Sequence, residues 1–295
     1  MGNRLRELRR LASRAENRRT ETGIPRVAMV KGEIPEHRLA TVYEPMINLI
    51  LSGSKTMTIG NRTLRYDPAT YFVMSVDLPA VGTVSASANG DPYLAISLSL
   101  EPALLAELLA DFPKLDGPPA VASGFSVAPV SDDLLDAWMR MLRLIERPEE
   151  IALFAPLYER EILLRVLNGP LGFMLRDIAT PETTFAGIEL AIRWIRENFA
   201  RPLRVETLAD MAALSVSAFH RHFKAVTALS PLQYHKHVRL LHARTLLISG
   251  EGNATSVAFR VGYESPSQFS REYTRQFGRP PSLDVKALRG YTQSA

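Results

Sequence analysis

Two stretches of the C-terminal third lie over one another, and this quasi-repeat constrains the fold more than any other feature. LADMAALSVSAFHRHF begins at Leu208 and VAFRVGYESPSQFSREY begins at Val257. Ala209 meets Ala258, and Ala213 meets Gly262. One extra residue in the second turn shifts the offset to 50, after which Ser217 meets Ser267, Phe219 meets Phe269 and Arg221 meets Arg271. Phe223 then meets Tyr273, and Pro231 meets Pro281. Each match has a physical reason. The paired alanines suit a close helix crossing, and Ala213 and Gly262 mark a turn whose positive φ glycine adopts more easily than alanine. The aromatic pairs fall at i, i+4 and bury one face of a helix.

The opposite face of the second helix in each unit is polar. The first unit shows Ser217, His220, Arg221 and Lys224, and the second shows Ser267, Gln268, Arg271 and Arg275. Such side chains meet base edges and phosphates in a major groove, which is how a helix-turn-helix uses its second helix. A helical bundle whose polar faces merely meet water is the plain alternative. The tandem arrangement favours DNA, because two such helices on one frame reach successive grooves roughly 34 Å apart. Between them, Pro231–Ser249 reads as one long helix with proline at its first position and Gly250 closing it. The first unit, with Ala213 and its histidines, is the less regular copy.

Charge follows the same division. Residues 1–31 hold 9 Lys+Arg against 3 Asp+Glu, residues 32–183 hold 11 against 20, and residues 184–295 hold 15 against 8. The basic final third faces a polyanion under this reading. Five of the six histidines also lie there, and cysteine is absent. That absence excludes disulfides, thiolate zinc sites and a cysteine nucleophile. The N-terminus lacks a signal peptide's apolar core, and no stretch approaches the roughly 20 apolar residues of a membrane span. A cytoplasmic protein without membrane contact is expected.

Of the 295 residues, 26–100 read as β-rich. Ile47–Ser52, Lys55–Ile59 and Tyr71–Val76 are separated by Gly53-Ser54, Gly60-Asn61 and Asp67-Pro68, a spacing that predicts a small barrel or sandwich. Helical patterns follow at Pro102–Asp111, at Asp132–Glu146 behind the N-cap candidate Ser131, and at Glu149–Leu167. The last two form a pair suited to packing on the barrel or on a second subunit. The fold class is α+β: a β-barrel with following helices, then an all-α domain with two helix-turn-helix units.

With these residues in view, the chain resembles the AraC/XylS family of transcription regulators. RVGYESPSQFSREYTRQFGRPP (Arg260–Pro281) resembles the family's signature at its second unit, and Leu208–Leu240 resembles the first unit and its linker helix. Tyr43–Pro79 followed by Pro92–Pro102 resembles the cupin-like N-terminal domain of one AraC-type subgroup. The resemblance implies base-reading positions at Ser217, His220 and Arg221, and at Ser267, Gln268 and Arg271. It implies promoter DNA, a small-molecule effector, RNA polymerase and a second copy of the chain as partners. The division expected is a basic arm over 1–25, mobile or solvated, an effector-binding and dimerisation domain over 26–178, a linker over 179–186, and the DNA-binding domain over 187–295.

Two alternatives stay open at this level. One is a regulator without an effector, whose N-terminal domain only dimerises or binds protein. The other is a barrel enzyme with a DNA-targeting module. A metal-dependent barrel needs clustered His and carboxylate ligands, and residues 1–183 contain only His37. No metal, cofactor or catalytic residue is expected. His37, Arg38, Tyr43, Asn48, Ser75 and Tyr93 are polar groups in or beside apolar strands, and none is assigned to an effector.

Overall fold

The computed structural model describes residues 2–32, 40–111, 123–180 and 183–292. A short helix α1 (Gly2–Leu11) precedes the strands β1 (Thr20–Glu21), β2 (Val27–Lys31), β3 (Ala40–Tyr43), β4 (Met46–Ser52), β5 (Ser54–Ile59), β6 (Arg62–Tyr66), β7 (Thr70–Met74), β8 (Leu78–Ser85) and β9 (Leu94–Ser99). Helix α2 (Pro102–Asp111) and strand β10 (Phe125–Pro129) follow. All pairings are antiparallel, in one sheet ordered β1-β2-β9-β4-β7-β10 and another ordered β3-β8-β5-β6. The two sheets pack face to face around a shared core, within the small barrel or sandwich that the turn spacing predicts.

Strand β4 shows how the layers are set. Its alternate residues Ile47, Leu49 and Leu51 face a helical layer, whereas Ile50 faces the barrel interior. A strand buried on both sides reads as a continuous apolar run, as this one does. The helical layer comprises α1, α2, α3 (Asp132–Arg143), α4 (Ile151–Leu167) and α5 (Gly172–Ala179). Ser131 caps α3 as expected, accepting from Leu134 N at 3.2 Å.

The N-terminal segment departs from the expectation of a mobile or solvated basic arm. Leu5, Leu8 and Leu11 recur at a helical spacing and are buried against the barrel's outer face and α3. Its arginines turn back on the protein. Arg4 binds Asp136 at 2.6 Å, Arg10 binds Glu146 at 2.6 Å, and Arg9 donates to Leu51 O at 2.6 Å. The positive charge of this segment is therefore largely matched within the fold. The apolar stripe, and not the charge, decides its placement.

The C-terminal region is helical: α6 (Thr184–Glu197), α7 (Val205–Met211), α8 (Val216–Thr227), α9 (Pro231–Ile248), α10 (Ala254–Arg260), α11 (Pro266–Phe277) and α12 (Pro281–Thr292). Helix α6 starts inside the expected 179–186 linker, because Thr183 caps it by accepting from Ala186 N at 3.1 Å. Gly187 is required where α6 meets the end of α7: a Cβ there would lie 2.9 Å from Ala212 O.

The two regions are joined by more than a linker. Gly124 N donates to Val226 O at 2.8 Å, and a Cβ on Gly60 would lie 2.4 Å from Ala228 O. Asp77 pairs with Arg196, and Tyr234 Oη donates to Asp77 O at 2.7 Å. The barrel's four-stranded sheet thus sits directly on the first helix-turn-helix and on α9. Among the described residues, no helix is long and apolar enough to cross a membrane, and no three His, Asp or Glu side chains are placed to hold a metal ion.

Candidate nucleic-acid interface

The quasi-repeat folds as two helix-turn-helix units, α7–α8 and α10–α11, joined by α9. Ala213 and Gly262 both take the left-handed conformation, at φ 52° and 87°. Each second helix is capped alike: Ser215 accepts from Ala218 N, and Ser265 accepts from Gln268 N, both at 3.3 Å. Each closes on a left-handed residue, Ala228 in the first unit and Gly278 in the second. This second pairing, also at offset 50, extends the repeat beyond the positions aligned from sequence.

Phe219 and Phe223 are fully buried beneath α8, and Phe269 and Tyr273 beneath α11. Their rings pack against one another within each pair, with centroids 5.4 and 5.5 Å apart. Burying these faces turns the opposite faces outward. Ser217, His220, Arg221 and Lys224 on α8 are all exposed, as are Ser267, Gln268, Arg271 and Arg275 on α11. Val216, also exposed, lies in the first turn of α8. Sequence reasoning passed it over because an apolar residue there resembles core.

The charges on these faces are distinctive. Among the described residues, Arg221, Lys224, Arg271 and Arg275 make no salt bridge; Arg221 touches only His222, at 3.3 Å. Other arginines of this region are paired: Arg193 with Glu189, Arg196 with Asp77, Arg244 with Asp284, and Arg260 with Glu251. A cation left without an internal partner on an exposed helix is free to neutralise phosphate or meet a base edge.

Helix α9 holds the two units in a fixed relation. Arg239 donates to Phe199 O at 2.6 Å and to Arg201 O at 2.9 Å, and its guanidinium lies over the Tyr263 ring at 5.9 Å. His235 Nε2 meets the same Phe199 carbonyl at 2.7 Å. Lys236 pairs with Glu272 at 3.0 Å, and Tyr263 Oη donates to Glu272 at 2.8 Å. On the far side, Arg244 binds Asp284 at 2.9 Å, and Tyr273 Oη donates to the same carboxylate at 2.8 Å. Burial is the largest influence on the α9 histidines. With Arg239 nearby it pushes His235 down to about 4; it lowers His237 beside Lys236 and His242 beside Arg196.

The sequence profile described as the AraC-type transcriptional regulator N-terminus matches residues 23–174, just over half of the chain. The chain belongs to the AraC-type transcriptional regulators. A helix-turn-helix domain profile matches residues 208–285 of this AraC-type chain, spanning both units. The transcriptional activator RhaS of Escherichia coli O1:K1 / APEC is 28% identical over 167 residues, or 56% of this chain and 59% of that activator. RhaS of Escherichia fergusonii is 36% identical over 100 residues, 34% of this chain and 36% of its own. The matches thus span less than two thirds of these relatives' length. Apo ToxT of Vibrio cholerae strain SCE256, in a single-substitution form, shares the fold over 91% of this chain and 98% of its own, with TM-score 0.58 and 10% identity. A small barrel, flanking helices and two helix-turn-helix units therefore recur together at very low sequence identity.

Proposed function

We propose that this chain is a sequence-specific, DNA-binding transcription regulator, and not an enzyme, which acts on promoter DNA in the cytoplasm. The observation that carries this reading is the pair of exposed, unpaired cationic faces on α8 and α11. Ser217, His220, Arg221 and Lys224 contact one major groove in this reading, and Ser267, Gln268, Arg271 and Arg275 contact the next. Arg221 and Arg271 read guanine, each contributing about 1–3 kcal/mol of discrimination.

The N-terminal domain receives a small-molecule effector and joins two copies of the chain. The barrel carries an open cavity of about 430 Å³, within the range of ligand pockets. ToxT has been crystallised with an unsaturated fatty acid, so this architecture takes a small molecule in at least that protein. For dimerisation, α4 exposes Leu153 and Leu157, at 72% and 57%, beside Phe154. These lie on one side of a helix whose other side is already in the core, as an isologous contact requires. RNA polymerase is the further partner through which bound regulator changes transcription.

An anisotropy titration of the full chain tests the DNA reading, with the promoter next to its own gene compared against random DNA of equal length. Preference for the promoter, lost in Arg221→Ala plus Arg271→Ala, supports it. Equal affinity for both DNAs, or preference unchanged in the double variant, contradicts it.

A further inference from the structure

Two largely buried side chains that line the barrel cavity have no hydrogen-bond partner for their polar ends among the described residues. Lys55, on β5, is only 6% exposed and lines the cavity. Among the described residues its ammonium makes no hydrogen bond or salt bridge; it lies over the Tyr43 ring, 4.8 Å from its centre. Tyr93 lines the same cavity, is 2% exposed, and its hydroxyl has no hydrogen-bond partner among the described residues. Asn48 differs, although it lines the cavity too. Its amide donates to Ile96 O at 3.1 Å, and its carbonyl accepts from Tyr66 Oη at 3.0 Å. Asn48 and Tyr66 complete one another, whereas Lys55 and Tyr93 are left over.

A buried ammonium without a counter-charge is costly, and a methionine at the same place would avoid that cost. Burial indeed pushes Lys55 down to about 8. The cavity's remaining wall includes the apolar Val30, Val42 and Met46. The acid at its edge, Glu44, is turned to Arg196 of the DNA-binding region at 3.6 Å and so does not neutralise Lys55.

Resting on the effector reading above, we infer that the barrel cavity binds a small organic monocarboxylate, its carboxylate held by Lys55 and Tyr93 and its apolar body against Val30, Val42 and Met46. One ammonium and one hydroxyl match a single negative charge. Arg18 and Arg19 also line the cavity but pair with Glu16 and Glu21 at 2.7 and 2.8 Å, so a phosphate dianion's second charge would meet guanidiniums that already have a partner. The ligand thus supplies the partner that Lys55 lacks, in a charge-assisted bond.

Thermal unfolding and calorimetric titration of the full chain test this with octanoate and phenylacetate, alongside octanamide and phenylacetamide. At least one carboxylate is expected to raise Tm with concentration and to bind at least tenfold more tightly than its amide. Lys55→Met is expected to abolish that preference while unfolding at or above the wild-type temperature without ligand. Lys55→Gln provides a second folded variant with the same loss, and Tyr93→Phe weakens binding several-fold. No stabilisation by either carboxylate, equal binding of acid and amide, or full binding by Lys55→Met overturns the inference. Promoter titration of the same preparations separates the two readings, because intact DNA preference without carboxylate binding removes only the ligand assignment.

Discussion

Tyr234 on α9 donates its hydroxyl to the backbone carbonyl of Asp77, 2.7 Å away and 157 residues distant in sequence. This bond ties the linker helix of the DNA-binding region to the edge of the barrel. Asp77 precedes Leu78 of β8, and Leu78 is the register partner of Tyr43, whose ring lies over Lys55. The cavity wall and the contact between regions thus share two neighbouring strands. A ligand that moves β3 or β8 therefore acts on α9 directly, which gives effector and DNA a physical route of coupling.

Tyr234→Phe should loosen that contact without disturbing either core, since the ring stays buried against Phe223. The Asp77 carbonyl loses its donor, a change of about 1 kcal/mol for a part-buried acceptor. Hydrogen exchange on the full chain checks this. Faster exchange is expected at the Gly124 amide, which bonds across the same boundary to Val226 O, while the amides of β4 keep their protection.

Ala213→Gly should stabilise the chain by about 0.5–1 kcal/mol. Alanine at φ 52° carries the left-handed penalty of roughly 1–2 kcal/mol, partly offset by glycine's greater freedom when unfolded. Its methyl group is exposed, so little packing is lost. The matching change Gly262→Ala should destabilise strongly, because the new Cβ would lie 2.1 Å from Ala200 O. Denaturant midpoints of the two variants check the opposite signs.

The histidines of α9 predict a direction with pH. His235 titrates near 4 when folded and near 6.5 when unfolded, so the unfolded chain binds more protons between these values. Its contribution to stability is complete above about pH 6.5 and falls away as pH drops towards 4. His237 and His242 are lowered too and act in the same sense. Unfolding midpoints measured across that window should decline with acidification, and His235→Gln should flatten part of the slope.

Leu153→Ser combined with Leu157→Ser should shift the chain from dimer to monomer in sedimentation velocity, with thermal stability of the subunit core kept. Both side chains are exposed, so the core loses little. A dimer unchanged in the double variant would place the contact elsewhere.

The repeat was legible in sequence because its aromatic and turn positions answer to short-range geometry. Phe219 with Phe223 and Phe269 with Tyr273 needed only the helical period, and Ala213 with Gly262 only the turn. The α+β division followed for the same reason. Nine cations among residues 1–31 point to a basic arm, but Leu5, Leu8 and Leu11, three residues apart, decide where the segment packs. Tyr43, Asn48 and Tyr93 of the cavity appeared among the polar candidates, whereas Ser75 instead bonds Gly124 O at 3.3 Å. His37 and Arg38 lie outside the described residues. The inward placement of Lys55 is legible in strand parity, which it shares with the buried Met57 and Ile59. No local pattern pairs Asp77 with Tyr234, because that contact depends on how two regions distant in sequence meet.

Helices α8 and α11, in the reading proposed above, meet adjacent grooves with equivalent arginines. Guanine-methylation protection on the promoter tests this base by base, using wild type, Arg221→Ala and Arg271→Ala. Two protected major-groove tracts are expected on one face of the duplex, about one turn apart, each lost in one variant only. A single tract, or the same tract lost in both variants, would contradict it.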